Sequence, residues 1–149
     1  MTDLRDTTTE APGAEIIENL TEKTLRFEAV GTRNPMMQVG DGATFYNHIY
    51  DADDNVVGDT VGILMATSRT SDGHIITEYT EAINLLGGTL KSNGTVDRNA
   101  VLTGAVMRFD VVGTSGSFLG MQGIRECQIL PPYPPSADSR VTVKFTLSK

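Results

Sequence analysis

The sequence predicts an all-β protein: a single eight-stranded antiparallel β-barrel with a flexible N-terminal segment. Three observations predict it. From Thr24 onward, apolar residues alternate with polar ones at the two-residue period of a half-buried strand. Turn signals interrupt that alternation roughly every ten residues, the spacing of an all-β sandwich or barrel. The chain carries fifteen glycines and six prolines, while helix-period stretches are scarce. Closure is favoured over an open sandwich because it removes the edges that long strands would otherwise expose.

Residues 1–14 (MTDLRDTTTEAPGA) are polar, Thr-rich and interrupted by Pro12-Gly13, which suits a loosely docked tail. Residues 15–23 (EIIENLTEK) read as a short helix with Ile16, Ile17 and Leu20 on one side, as a frayed lead-in, or as an apolar flap over a barrel mouth. The predicted organisation is therefore a flexible tail or lid over 1–20 and a barrel over 21–149.

In the first strand, Leu25, Phe27 and Ala29 face one way and Thr24, Arg26 and Glu28 the other, a period-two pattern with one wet face. Pro35, Gly40 and Gly42 mark residues 31–43 as a loop. Thr44 to Tyr50 is a strand. Asp51 to Asn55 forms a turn, and the partner strand runs from Val56 through Arg69. Ser71-Asp72-Gly73 turns the chain into the strand 74–85. There Ile75, Thr77, Tyr79, Glu81 and Ile83 share one face, and Ile76, Glu78, Thr80, Ala82 and Asn84 the other. Gly87-Gly88 is a hairpin turn. Residues 89–98 are a strand weakened at Gly94, followed by a short turn at Asn99. Strand 104–112 leads into Gly113, Gly116, Gly120 and Gly123, a structured corner with Phe118, Leu119 and Met121 against the core. Four prolines make 130–139 a stiff extended connector. Strand 140–149 closes the chain with Val141, Val143, Phe145 and Leu147 inward.

Composition excludes several classes of function. A formal net charge of −7 leaves no basic footprint for nucleic acid and disfavours anionic membrane surfaces. No apolar run is long enough to span a bilayer and no signal-peptide pattern opens the chain, so the reading is soluble and cytoplasmic. A lone Cys127 excludes an internal disulfide and a Cys-based zinc site. Only His48 and His74 are available for imidazole chemistry. DADDNVVGD (51–59) departs from a calcium loop, with Val56 and Gly62 where Gly and Glu are needed. Glu78 and Glu81 fall on opposite faces and cannot pair. The glycine run lacks the Lys-Ser/Thr ending of a phosphate-binding loop. Residue physics alone leads to a small acidic barrel, its interior either an apolar cavity or a solid core, with no visible catalytic constellation.

Three stretches carry a resemblance. They are FYNHIYDADDNVVGDTVG (45–62), ITEYTEAINL (76–85) and VVGTSGSFLGMQGIREC (111–127). Their shared features are Ile49, Tyr50, Asp51 and Gly58 in the hairpin, the run Gly113 to Gly120, and Gly123 followed by Arg125. Over about residues 40–149 the chain resembles the small allene-oxide-cyclase-like barrels, lipocalin-like in architecture, of actinobacterial polyketide clusters. The match is greatest to the spirotetronate and spirotetramate cyclases.

That resemblance implies a Diels-Alderase of antibiotic biosynthesis. It would fold a linear polyketide tetronate or tetramate for an intramolecular [4+2] cycloaddition that forms a spiro ring. It implies no cofactor and no metal, and a homodimer. By position, Phe45, Tyr79, Phe109, Cys127 and Ile129 fall where the family lines its pocket. Alternation adds Asn47, Thr77, Glu81, Met107 and Arg125, and strand pairing adds Leu64. Tyr79 is the expected catalytic hydrogen-bond donor, with Glu81, if protonated, in reserve together with Asn47 and Thr77. Cys127 and Arg98 stand in slots that can be aromatic in relatives. Two other readings share the scaffold: a lipocalin-like binding protein for an apolar metabolite, and a different cyclase reaction such as epoxide opening.

Overall fold

The computed structural model describes residues 14–31 and 37–149. Eight strands run in chain order and close on themselves, each antiparallel to its neighbours. They are β1 (Glu15–Val30), β2 (Gly42–Tyr50), β3 (Val56–Arg69), β4 (Ile75–Leu85), β5 (Gly88–Asp97), β6 (Met107–Gly116), β7 (Gln122–Ile129) and β8 (Val141–Ser148). A four-residue helix, α1 (Arg98–Val101), sits between β5 and β6.

The predicted class and closure are found, and β4 follows its predicted alternation residue by residue. Ile75, Thr77, Glu81, Ile83 and Leu85 are buried and Glu78, Thr80, Ala82 and Asn84 exposed. β8 buries Val143, Phe145 and Leu147 as expected. The turn between β4 and β5 falls one residue early, at Leu86-Gly87. Both residues have positive φ, 49° and 87°, the backbone that matches the twist of paired strands.

The first strand departs most from expectation. β1 begins at Glu15, so residues 15–20 belong to the barrel and neither a tail nor a helix forms there. Residues 1–13 of the expected tail or lid lie outside the described residues. The spacing Ile17 to Leu20 that suggests a helix comes from a β-bulge against β8, with Asn19 at φ 63°. A second bulge, between Thr24 and Arg26, breaks the alternation predicted for 24–29. A bulge sets two residues against one and rotates the strand beyond it. Leu25 therefore turns outward at 49% exposure, while Thr24 and Phe27 both reach the barrel mouth.

Two further expectations are corrected. The turn at Asn99 is the helix α1, with Asp97 as N-cap accepting from the Ala100 amide at 3.1 Å. Short polar side chains satisfy first-turn amides in this way. Asp97 also binds His74, which raises the His74 pKa above its ordinary value. Asn99 Oδ1 accepts the Ile75 amide at 2.8 Å, so α1 is pinned to the start of β4. The connector 130–139 is a series of bends. Tyr133 folds back within it to donate to the Ile129 carbonyl at 2.7 Å.

One half of the barrel is filled. Ile49, Ile83, Leu85, Leu90, Phe145 and Leu147 are each at most 1% exposed. Phe118 and Met121, from the β6–β7 corner, plug that end, whereas Leu119 points to solvent. In the other half, two glycines make room for large rings. A Cβ on Gly62 would strike the Phe45 ring. A Cβ on Gly94 would lie 2.7 Å from Phe109 Cδ1 and 2.8 Å from the Arg108 carbonyl oxygen. Gly94 therefore permits the close approach of an aromatic wall.

Gly94→Ala is expected to destabilise the barrel by about 1–3 kcal/mol through overpacking, read as a lower urea midpoint with an unchanged slope. Adding Phe109→Leu should recover part of the loss. A neutral Gly94→Ala would remove this account of the glycine.

Candidate functional site

The unfilled half of the barrel holds a cavity of about 160 Å³, open at the α1 end. Its floor is a layer of buried charge. Arg125 on β7 reaches across the interior and donates from Nη2 to Glu22 Oε2 on β1 and from Nη1 to Glu81 Oε1 on β4, both at 2.5 Å. All three side chains are at most 3% exposed. Ser92 adds a hydrogen bond to Glu81 at 3.2 Å, and Asn47 Nδ2 donates to Glu22 at 3.0 Å. Two carboxylates share one guanidinium. Burial raises the Glu81 pKa, the neighbouring Arg125 opposes the shift, and Glu22 reinforces it.

The walls are aromatic and aliphatic. Phe45, Tyr79 and Phe109 form a continuous tilted series, with ring centroids 6.0 Å and 5.4 Å apart. Tilted rings at such separations make favourable contacts. Arg125 lies 5.3 Å from the Phe109 ring centroid, which ties wall to floor. Leu64, Met107, Cys127 and Ile129 complete the wall.

Tyr79 is the polar group set into that wall. Its hydroxyl has no hydrogen-bond partner among the described residues. Burial pushes its pKa up to about 12, so at neutral pH it is a phenol able to donate. Asn47 Oδ1 is also buried without a partner and offers an acceptor. Burial pushes the Cys127 thiol up to about 12. Nucleophilic chemistry needs a thiolate, so Cys127 serves as a small wall residue.

Of the side chains singled out from the sequence, Phe45, Asn47, Leu64, Tyr79 and Glu81 line this cavity from β2, β3 and β4. Met107, Phe109, Arg125, Cys127 and Ile129 line it from β6 and β7. Thr77 is fully buried with an unpartnered hydroxyl and lies outside the lining. Sequence reasoning missed Glu22, Thr24 and Phe27 of β1, Val101 of α1 and Leu102 just after it, and Val141 of β8 as lining residues. It noted Arg98 without placing it in the cavity. The signal for Glu22 was its two-residue spacing from Leu20, hidden by the helix-like spacing before it. The signal for α1 was Asp97 ahead of Arg-Asn-Ala-Val, an N-cap pattern.

The family model for the allene oxide cyclase barrel like domain matches residues 19–144. No curated protein matches the chain by sequence. Three solved structures are similar. AbnU, an exo-specific intermolecular Diels-Alderase, is 26% identical at TM-score 0.78, with 90% of this chain and 96% of that one covered. A nonspecific heme-binding cyclase that catalyses [4+2] cycloaddition during neoabyssomicin biosynthesis is 28% identical at TM-score 0.78. The Diels-Alderase AbmU from Streptomyces koyangensis is 28% identical at TM-score 0.77. Both of these overlap 91% of this chain, which spans 65% and 64% of their lengths.

Haem binding is a property of that neighbour. Here no histidine lines the cavity, and Cys127 is held as a thiol. Among the described residues, the lining side chains of kinds that ligate haem iron are Tyr79, held as a phenol, Met107 and Cys127.

Glu81 generates a test. Its folded pKa is raised, so the folded state binds this proton more tightly than the unfolded chain. Its contribution to stability is full below the ordinary carboxylate pKa and is lost as pH rises through the folded value. Glu81→Gln should flatten the urea-midpoint profile above about pH 4 relative to the parent protein. Parallel profiles would sink the assignment. The slope from His74 is common to both proteins and cancels in the difference.

Proposed function

The chain belongs to the allene oxide cyclase barrel like domain family, and on that premise we propose that it is a [4+2] cyclase of polyketide biosynthesis. The reaction is the intramolecular cycloaddition of a linear chain carrying a conjugated diene and an alkene conjugated to a tetronate or tetramate carbonyl. One observation carries the reading. A neutral Tyr79 hydroxyl without a partner is set between two aromatic rings, in a cavity with a closed and charged floor. The likeness to the Diels-Alderases AbnU and AbmU supports it.

A cycloaddition moves no proton and needs no nucleophile. It needs two π-systems held face to face, so the rate gain comes from orienting them and from removing chain freedom before the barrier. Phe45, Phe109, Met107 and Ile129 supply flat and adaptable walls for that purpose. The cavity takes the folded reacting portion of a long substrate, which enters through the open α1 mouth. Tyr79 hydrogen-bonds the carbonyl conjugated to the alkene. This withdraws electron density from the alkene and stabilises the charge that grows on oxygen in the transition state. Asn47 Oδ1 accepts from a substrate hydroxyl. Glu81 and Arg125 hold the floor and keep the strands bearing Tyr79 and Phe109 at fixed separation.

The proposal places the protein in the cytoplasm as a homodimer. The outward side chains Val61, Ile63 and Met65 of β3, between 42% and 54% exposed, offer a second copy an apolar stripe.

The test is turnover. Purified protein should accelerate spiro-ring formation from a diene-bearing acyltetronate or acyltetramate, followed by mass spectrometry and by NMR of the product stereocentres. A separate diene and alkene pair tests the intermolecular form. A folded protein that accelerates neither overturns the reading. Tyr79→Phe should lower kcat roughly tenfold with little change in KM. That is less than the hundredfold or more seen when a full oxyanion loses a donor. Complete loss of activity would point instead to acid-dependent epoxide opening.

A further inference from the structure

The cavity contains one charge that its own walls do not answer. Arg98, the first residue of α1, is half-buried and lines the same space as Tyr79. Every other charged side chain lining that space is engaged. Glu22 and Glu81 are both held by Arg125, and Arg125 by both of them. Asp97, next to Arg98 in sequence, binds His74 Nδ1 through Oδ2 at 2.7 Å and the Ala100 amide through Oδ1 at 3.1 Å. Among the described residues nothing accepts a hydrogen bond from the Arg98 side chain.

An unpaired guanidinium beside an apolar cavity has lost part of its hydration without a replacement. Its planar fork of donors matches a carboxylate or a similar pair of anionic oxygens. Tyr79 carries another unpartnered donor, besides the buried Arg125 Nε of the floor, and Arg98 is near enough for its charge to act on the phenol, as are Glu81 and Arg125. One charged and one neutral donor thus face the same apolar space, Arg98 at the α1 end and Tyr79 two residues along β4 from Glu81 of the floor.

We propose that Arg98, with the Tyr79 hydroxyl, forms a subsite for an anionic oxygen head group carried on an apolar chain. Its ligand is a carboxylate or the enolate of a 1,3-dicarbonyl. The inference rests on the reading of this cavity as the substrate site, and it adds a direction of entry. The cation at the mouth attracts the anionic head, while two carboxylates sharing one guanidinium at the floor repel it. The apolar chain therefore runs inward along the aromatic wall, with its head held at α1. Arg98 acts as a specificity-determining residue, and a neutral head group is the disfavoured competitor.

Two matched probe pairs test this by isothermal titration at neutral pH. One is a long-chain acyltetronic acid with its O-methyl ether; the other is decanoate with methyl decanoate. The parent protein should bind the charged member of at least one pair about tenfold more tightly, a difference of about 1.4 kcal/mol. The pair with the larger ratio identifies an enolate or a carboxylate as the preferred head. Arg98→Gln should bring that ratio to near one by weakening the charged member about tenfold, with the neutral member still bound, which shows that the cavity is intact. Arg98→Lys should keep part of the ratio, as a point charge without the fork.

Equal binding of charged and neutral members by the parent protein, or a ratio that survives Arg98→Gln, overturns the proposal. Failure of the cyclase reading looks different. The charged probe would still bind through Arg98, but no diene-bearing substrate would turn over.

Discussion

The Arg125 guanidinium clamped between Glu22 and Glu81 is the interaction on which the rest of this barrel depends. It joins β7 to β1 and β4 across the interior, so three strands that are not all neighbours are held at one separation. Burying three charges costs several kcal/mol for each ion, and their mutual attraction repays this only when the remaining polar atoms are satisfied. Ser92 and Asn47 supply part of that satisfaction. The clamp thus contributes position more than stability. It divides the interior into a packed apolar half and a cavity, and it does so at the depth where a substrate chain would otherwise continue inward.

Above that floor, the aromatic wall is built by complementarity of size across the sheet. Phe45 lies against Gly62 and Phe109 against Gly94, each glycine on the neighbouring strand surrendering the volume its partner fills. Tyr79 sits between the two rings, and they fix its orientation without consuming its hydroxyl. A wall of this kind can present flat surfaces and a single donor while remaining dry, which suits a reaction governed by geometry and one polarised carbonyl.

The regularity of each strand decides how much of it is legible in the sequence. β4 and β8 keep strict alternation, so the inward positions of Thr77, Tyr79, Glu81 and Phe145 could be read directly. β1 does not. Its two bulges insert residues out of period, which makes Ile17 and Leu20 look helical and sends Leu25 outward. Glu22, the second carboxylate of the floor, lies between these irregularities and stayed hidden for that reason. α1 is only four residues long, too short for any periodicity to register, and it brings Arg98, Val101 and Leu102 to the cavity. The pairing of Arg125 with two acids from distant strands is a product of closure and has no local signature.

The seam between β1 and β8 has a consequence for how the molecule comes into being. Glu22 and its partner Arg125 lie 103 residues apart, and the hydrogen-bonding edge that β1 offers is completed only by residues 141–148. Every other strand pair is between neighbours in the chain and can assemble as the chain emerges, hairpin by hairpin. The seam must wait, because closing so long a loop costs entropy that local contacts do not offset. During that interval the first strand's edge and one buried carboxylate stand open together. The contacts that close this seam are thus the same ones that complete the cavity, its floor and the barrel itself.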